Sequence, residues 1–388
     1  MNYDVRRVMK VADRPSVVMV EGQGSWLWDS DGKQYLDFVQ GWAVNSLGHS
    51  PRVILDALNR QALRLINCSP AYYNEPMARL ATLLADATGL SDVFLCNSGA
   101  EANEGAIKLA RKWGARYREG AFEIITMQHA FHGRTLATMA ASGKPGWDTL
   151  FEPKVPGFRK VPLGDLEAVR KAVTPMTVAV MLEPIQGEAG VLMASDDFLR
   201  DLRRVTRELS ILLIVDEIQT GIGRTGRLFG YEHAGIAPDI VTLGKGLGGG
   251  VPIAALVAAE TASCFDYGDH GGTFNGSALM AEVGCAVVDT VRDPRFLDAV
   301  AANGQYLMER LRTLAAELGD GEVRGRGLLA ALEVKTCDAT KVARAALDRG
   351  LLINAPRPDT LRFMPALTVS RDEIDEMLEL LRASLGHE

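Results

Sequence analysis

The sequence predicts a doubly wound α/β fold with a mostly parallel sheet, joined to a smaller α+β part. Three observations carry this. Short apolar runs alternate with amphipathic helical stretches from about residue 60 to residue 285. Several of those runs are β-branched and end abruptly in polar or glycine residues, as Ile211–Val215 does at Asp216 and Glu217, and Ile240–Leu243 at Gly244, Lys245 and Gly246. Unbroken apolar runs of this length are the mark of strands buried on both faces. After about residue 291 the alternation gives way to a long helix and clustered strand candidates.

Composition sets the outer bounds. A chain of 388 residues exceeds one ordinary core, so two domains are expected, a large one over 58–288 and a small one assembled from 1–57 and 289–388. With 47% hydrophobic and 23% charged residues and a net charge of −7, the chain has the balance of a soluble globular protein and no basic signature for nucleic acid. No apolar run approaches a membrane span, and the start MNYDVRRVMKVADRP has no apolar signal core. The five cysteines, 68, 96, 264, 285 and 337, form no CxxC pair and are odd in number. Free thiols in a reducing compartment, the cytoplasm, are expected.

The elements follow in order. WLWDSDGKQYLDF from Trp26 places two strand-like pieces around an Asp-Gly turn, a hairpin signal. GWAVNSLGH from Gly41 is a loop of small residues, after which Ser50 and Pro51 suit an N-cap and a first helical position. Val93–Cys96 is a strand, and the turn Asn97-Ser98-Gly99-Ala100 opens a helix from about Glu101 to Tyr117. Strand, glycine turn and helix start make an anion site, because unpaired N–H groups point out of the helix N-terminus. The strand Phe122–Met127 ends at Gln128-His129-Ala130-Phe131-His132-Gly133-Arg134. The two histidines lack an HExxH pattern or a cysteine partner, so no metal site is assigned. Phe131 is either a core residue or an aromatic platform for a flat ring.

Val178–Leu182 is a strand that ends in Glu183-Pro184-Ile185-Gln186-Gly187-Glu188, and a helix from Ser195 to Leu209 follows. Gly271-Gly272-Thr273-Phe274-Asn275-Gly276 is a turn leading into a helix over 277–291. A helix from Pro294 to Leu318 precedes strand candidates at Val323–Glu333, Leu352–Asn354 and Leu361–Phe363, and the last helix runs from about Arg371 to Leu385. There are no repeats, low-complexity segments or long linkers.

Ligands of parallel sheets bind outside the carboxyl ends of the strands. Asp216 and Lys245 are therefore expected at one rim, each ending its own strand. An acid and a lysine there suit pyridoxal phosphate, which needs a Schiff-base lysine and an acid that keeps its pyridine nitrogen protonated. Two ordinary strand ends are the plainer alternative.

Six motifs in one order distinguish the two. They are NSGAEANEGAIKLAR from Asn97, FHGRT from Phe131, EPIQGEAGV from Glu183, DEIQTGIGRTG from Asp216, TLGKGLGGG from Thr242 and GGTFNG from Gly271. Together they resemble the class III pyridoxal-phosphate-dependent aminotransferases of fold-type I, over nearly the whole chain, and within that class the acetylornithine aminotransferases. The resemblance implies that Lys245 forms the Schiff base, Asp216 pairs with the pyridine nitrogen and Gln219 lies near the ring hydroxyl. It implies that Phe131 and Ile218 cover the two ring faces and that Gly99 and Ala100 give N–H groups to the phosphate. Thr273 is expected to reach the phosphate of a neighbouring subunit, making the active unit a homodimer with shared sites. Arg134 and Arg362 are expected to bind substrate carboxylates, with Glu188 masking Arg362 when no carboxylate is there. Trp42 and Gly272 depart from the pattern on the substrate side: relatives acting on acetylornithine often carry a smaller aliphatic residue at the first position, those acting on ornithine a tyrosine, and many relatives a serine at the second.

The implied reaction is the ping-pong transfer of the δ-amino group of N-acetylornithine to 2-oxoglutarate, giving N-acetylglutamate 5-semialdehyde and glutamate, a step of arginine biosynthesis. Rivals with the same chemistry use succinylornithine, succinyldiaminopimelate, ornithine or 4-aminobutyrate as donor. A nucleotide-binding reading of residues 244–250 requires Ser or Thr after the lysine, and Gly246 stands there. A catalytically silent regulator built on the same fold is the third reading, and the chain carries no added DNA-binding segment.

Overall fold

The computed structural model describes residues 4–319, 321–335 and 337–386. Its centre is a seven-stranded sheet in the order Asp92–Cys96, Ala254–Ala258, Ile240–Leu243, Leu212–Asp216, Thr177–Leu182, Glu123–Met127 and Phe158–Val161. All pairings are parallel except those of Ala254–Ala258, which runs against both its neighbours. The other six strands therefore deliver their carboxyl ends to one rim, where Asp216 and the turn after Leu243 lie side by side.

The strands are apolar throughout because both faces are buried. In Leu212–Asp216 every residue is buried; Leu213 and Val215 join one core while Leu212 and Ile214 join the other. Successive side chains point to opposite faces of a strand, so such a run fills two cores at once. The helix Gly99–Tyr117 covers one face, and Ala278–Val291 is buried beneath Arg52–Ala62 and Glu75–Thr88.

Two four-stranded sheets lie outside the central one, and the ends of the chain meet in the first of them. In the first, Met19–Gln23, Trp26–Asp29 and Gln34–Asp37 pair antiparallel, and Leu351–Leu352 adds in parallel beside Gln34–Asp37. The second is Val323–Arg326, Leu329–Glu333, Thr360–Phe363 and Asn354–Arg357, all antiparallel. The sequence places one strand over Leu352–Asn354. The structure divides it: Leu351–Leu352 serves one sheet and Asn354–Arg357 the other. Val323–Glu333 likewise folds back at Gly327 into a hairpin, with φ +59 at that glycine.

A fully buried arginine joins the rim loop to the C-terminal sheet. Nη1 of Arg224 donates to the carbonyls of Leu328, at 3.0 Å, and Pro365, at 2.6 Å. Burial pulls the Arg224 guanidinium down to about 9. Cys68, Cys96, Cys264 and Cys285 are free thiols. Among the described residues no helix is long and apolar enough to cross a membrane.

Candidate active site

The rim surrounds a cavity of about 220 Å³. Gly99, Ala100, Phe131, Arg134, Glu188, Asp216, Ile218, Gln219 and Lys245, all singled out in the sequence, line it. Asn103, His132, Gly133 and Glu183 complete the lining.

Asp216 is buried and held from three sides. Its Oδ1 accepts the N–H of Ile218 at 3.0 Å, and its Oδ2 accepts Nδ2 of Asn103 at 2.7 Å. Nδ1 of His132 lies 2.8 Å from the same Oδ2. A carboxylate can only accept, so the His132 ring proton belongs on Nδ1. Oγ1 of Thr242 donates to Oδ1 of Asn103 at 2.7 Å, which fixes the Asn103 amide with its NH₂ toward Asp216. The acid is thus oriented before any ligand arrives.

Lys245 stands in the left-handed region, φ 44, which disfavours a residue with a Cβ. Its amine faces the cavity, and burial there depresses it, with Glu188 the largest opposing influence. Glu183 is pushed well up by burial and then by Asp216, while the Phe131 N–H, 3.0 Å from its Oε2, pulls the other way. That contact pins the backbone that carries the Phe131 ring.

The helix from Gly99 begins with a capping box. Oγ of Ser98 accepts the Glu101 N–H at 3.3 Å, and the Glu101 carboxylate accepts the Asn97 and Ser98 N–H groups at 2.7 and 2.8 Å. The N–H groups of Gly99 and Ala100 have no partner within the helix and open on the cavity. Gly99 is required: a Cβ there would lie 2.8 Å from Cγ2 of Ile218, whose side chain forms the opposite wall. Among the described residues both polar atoms of the buried Gln219 amide lack a hydrogen-bond partner. A Cβ on Gly187 would sit 1.6 Å from Oε1 of Gln219, so that glycine keeps the amide in place.

Beside the cavity, Nη1 of Arg362 donates to Oε1 of Glu188 at 2.8 Å and Nε donates to Oδ1 of Asn354 at 3.1 Å. Nη2 has no partner. The Trp42 ring centroid lies 5.5 Å from the Arg362 guanidinium carbon. Burial alone pushes Glu188 up, but Arg362 and Lys245 outweigh it and hold its carboxyl below the usual range. Trp42 is half exposed and sits on a left-handed turn, with positive φ at Gln40, Gly41, Trp42 and Ala43. Asp37 secures that turn by accepting the Val39 and Gln40 N–H groups at 2.8 and 2.9 Å, and His49 grips its other oxygen at 2.8 Å. The start of the segment expected as a loop of small residues is thus a turn held in place by Asp37 and His49.

Gly272 and Thr273 lie outside this cavity, and both are exposed on the single chain. Four lining residues, Asn103, His132, Gly133 and Glu183, have no role assigned by the sequence. Asn103 is four positions after Gly99, on the same helical face, which is a readable signal. His132 was considered only as a metal ligand. Glu183 follows a strand buried at every position, an unusual setting for an acid.

A capped helix start for an anion, apolar walls for a flat ring, a clamped acid, an unpaired amide and a desolvated lysine fit a heteroaromatic aldehyde carrying a phosphate and a basic ring nitrogen. Comparisons with known proteins agree. The family model Aminotransferase class-III matches residues 8–385. The acetylornithine aminotransferase of Ralstonia nicotianae is 54% identical over 391 residues, covering 99% of this chain and 98% of that one. Among solved structures, the N-acetylornithine aminotransferase of Stenotrophomonas maltophilia K279a superposes with a TM-score of 0.84 at 35% identity, covering 96% of each chain. An ornithine aminotransferase of Toxoplasma gondii, described with partial occupancy of PLP at its active site, gives 0.93 at 33% identity, covering 98% of this chain and 92% of that one.

Proposed function

The chain belongs to the class-III aminotransferases, and from that premise we propose that it transfers the δ-amino group of N-acetylornithine to 2-oxoglutarate, yielding N-acetylglutamate 5-semialdehyde and glutamate in arginine biosynthesis. The observation that carries this reading is the pairing of a fully buried Arg362 with Glu188 beside Lys245. An arginine that is masked in one state and free in another suits a site that alternates between an ω-amine, whose reacting carbon bears no carboxylate, and a 2-oxo acid, whose reacting carbon does.

Pyridoxal 5'-phosphate supplies an aldehyde that takes up the donor nitrogen and a ring that accepts the electron pair of the deprotonated carbon. Gly99 and Ala100 would hold its phosphate and Gln219 its ring hydroxyl, while Phe131 and Ile218 enclose the ring. Asp216, positioned by Asn103, His132 and the Ile218 N–H, would keep a proton on the ring nitrogen. Lys245 carries a proton between the two reacting carbons, and its depressed amine suits a general base. Arg134 takes the carboxylate distant from the reaction in both substrates, and Arg362 takes the near carboxylate of the oxo acid.

The same reading makes the enzyme a cytoplasmic homodimer. The free thiols of Cys68, Cys96, Cys264 and Cys285 support the compartment. The exposure of Thr273 away from its own cavity supports its serving a neighbouring subunit's phosphate. The small domain of 1–57 with 289–388 is supported by the pairing of Gln34–Asp37 with Leu351–Leu352.

A donor panel tests the reaction. Enzyme loaded with cofactor is mixed with N-acetylornithine, ornithine, 4-aminobutyrate or glutamate, and loss of the aldehyde absorbance is followed in single turnover. N-acetylornithine should give the highest specificity constant among the ω-amines. A clear preference for 4-aminobutyrate would overturn the assignment.

A further inference from the structure

Arg134, which lines the cavity, shares the Trp147 ring with a second cation, Lys144. The Arg134 guanidinium carbon lies 5.0 Å from the centroid of the Trp147 ring, and Nζ of Lys144 lies 5.5 Å from it. Trp147 is itself packed away, 7% exposed, with its centroid 5.7 Å from that of Phe131, which lines the cavity. Among the described residues neither cation has a carboxylate within ion-pair distance; Arg134 also touches the Phe131 ring, at 5.8 Å. Two like charges on one indole, stabilised only by the ring faces, leave an uncompensated positive field. That field reaches inward: Lys144 contributes, after Arg362 and Lys245, to holding the Glu188 carboxyl down.

The position of Lys144 is built into the backbone. The Gly143 N–H donates to the Ala130 carbonyl at 3.0 Å, and the His129 N–H donates to the Gly143 carbonyl at 2.9 Å. A Cβ on Gly143 would lie 2.4 Å from the Met127 carbonyl oxygen, so the segment is pressed against the end of its strand. The Trp147 N–H closes a turn on the Lys144 carbonyl at 3.2 Å. Lys144 is therefore fixed beside the same strand end that supplies Phe131 and Arg134.

We propose that Lys144 is a specificity-determining residue of the donor site: with Arg134 it forms a two-cation seat on Trp147 that rejects a free α-ammonium, admits an acylated α-nitrogen and favours an acyl group bearing a further carboxylate. The inference rests on the acylornithine reading above. Arg134 takes the α-carboxylate, and the α-nitrogen branches from the same carbon. A charged ammonium there meets both cations. Acetylation removes its charge, and a dicarboxylic acyl group replaces it with an anion that Lys144 can pair.

The test compares ornithine, N-acetylornithine and N-succinylornithine as donors to the loaded enzyme and to its Lys144→Gln, Lys144→Glu and Lys144→Arg variants. The readout is the ratio of single-turnover specificity constants, which cancels a general loss of activity. Removing one charge at this range should lower the succinyl-to-acetyl ratio and raise the ornithine-to-acetyl ratio, each by about tenfold. Lys144→Glu should move both further, and Lys144→Arg should keep the wild-type order. Because the field is screened by salt, the succinyl-to-acetyl ratio of the wild type should also fall as ionic strength rises, which needs no variant to fold. Ratios constant within twofold across the variants and across salt overturn the role of Lys144. Absence of wild-type turnover with N-acetylornithine overturns the proposed reaction instead, so the two failures are distinguishable.

Discussion

Glu188 and Arg362 meet at 2.8 Å with unequal burial: the Arg362 side chain is 0% exposed and that of Glu188 27%. The arginine is fixed by its strand and by Asn354, so the carboxylate is the partner free to move. In its sheet Arg362 pairs with Ala331 on one side and Asn354 on the other. A buried guanidinium without a partner is costly, so Glu188 must cover it whenever no substrate carboxylate does.

Arg362→Ala should therefore damage the glutamate and 2-oxoglutarate half-reaction far more than the N-acetylornithine one. Losing a buried charge-assisted pair costs roughly 2–5 kcal/mol, about 30- to 4,000-fold in specificity constant. Glu188→Ala should act in the opposite sense, making α-amino acids relatively better donors. Each half-reaction is measured alone, by the cofactor spectrum in single turnover. Equal slowing of both halves by both variants would reduce the pair to a structural link.

Asp216→Asn should retain the fold, since Asn103, His132 and the Ile218 N–H still surround the position, but slow proton abstraction strongly. A preorganised charge of this kind is typically worth ~3–4 kcal/mol, about 10²–10³ in rate. Lys245→Ala should abolish turnover without added amine, because both the covalent attachment and the proton carrier go. A single-turnover rate within threefold of wild type in Asp216→Asn would refute the role of the acid.

Glu217 gives the fold a pH dependence. It is fully buried, and burial raises its carboxyl to about 7 even though the Thr220 hydroxyl and the Gly230 and Tyr231 N–H groups favour the anion. A carboxyl raised on folding contributes stability that is fully present below about 4.5 and is lost as pH rises through about 7. Its contribution should thus decline by up to about 3 kcal/mol between acid and mildly alkaline pH. Glu217→Gln lowers stability at every pH, since its amide cannot accept all three donors, but should remove this slope. Denaturant midpoints of both proteins from pH 5 to pH 8 check it: parallel curves would contradict the expected titration.

Thr273 offers a test of shared sites. An inactive Lys245→Ala chain mixed with a weakened Thr273→Ala chain should gain activity beyond that of either alone, because one site of each mixed dimer would be intact. Verified heterodimers that show no gain would place Thr273 outside the neighbouring site.

Much of this protein is settled by local sequence. Ser98 and Glu101 are three residues apart, and the capping box they make needs nothing else. The helix Arg371–Leu385 begins with a capping box of its own, Ser370 with Glu373, and falls where its pattern places it. Asp216 and Lys245 end apolar runs, and parallel strands bring such ends to one rim. What tertiary structure alone decided involves partners far apart in the chain or conformations against propensity. Glu188 and Arg362 are 174 residues apart, and Asn103 and Asp216 are 113 apart. No periodicity relates them. Leu352 and Asn354 belong to different sheets although two positions separate them, because the neighbours that pair with them, Asp37 and Arg362, arrive from elsewhere. Trp42 is the extreme case: a left-handed turn is unfavourable for its own residues, and it persists because Asp37 and His49 pin it where the Trp42 ring can meet Arg362. Local preference fixes elements that satisfy themselves; a conformation that satisfies only its distant partners becomes visible once the chain has folded.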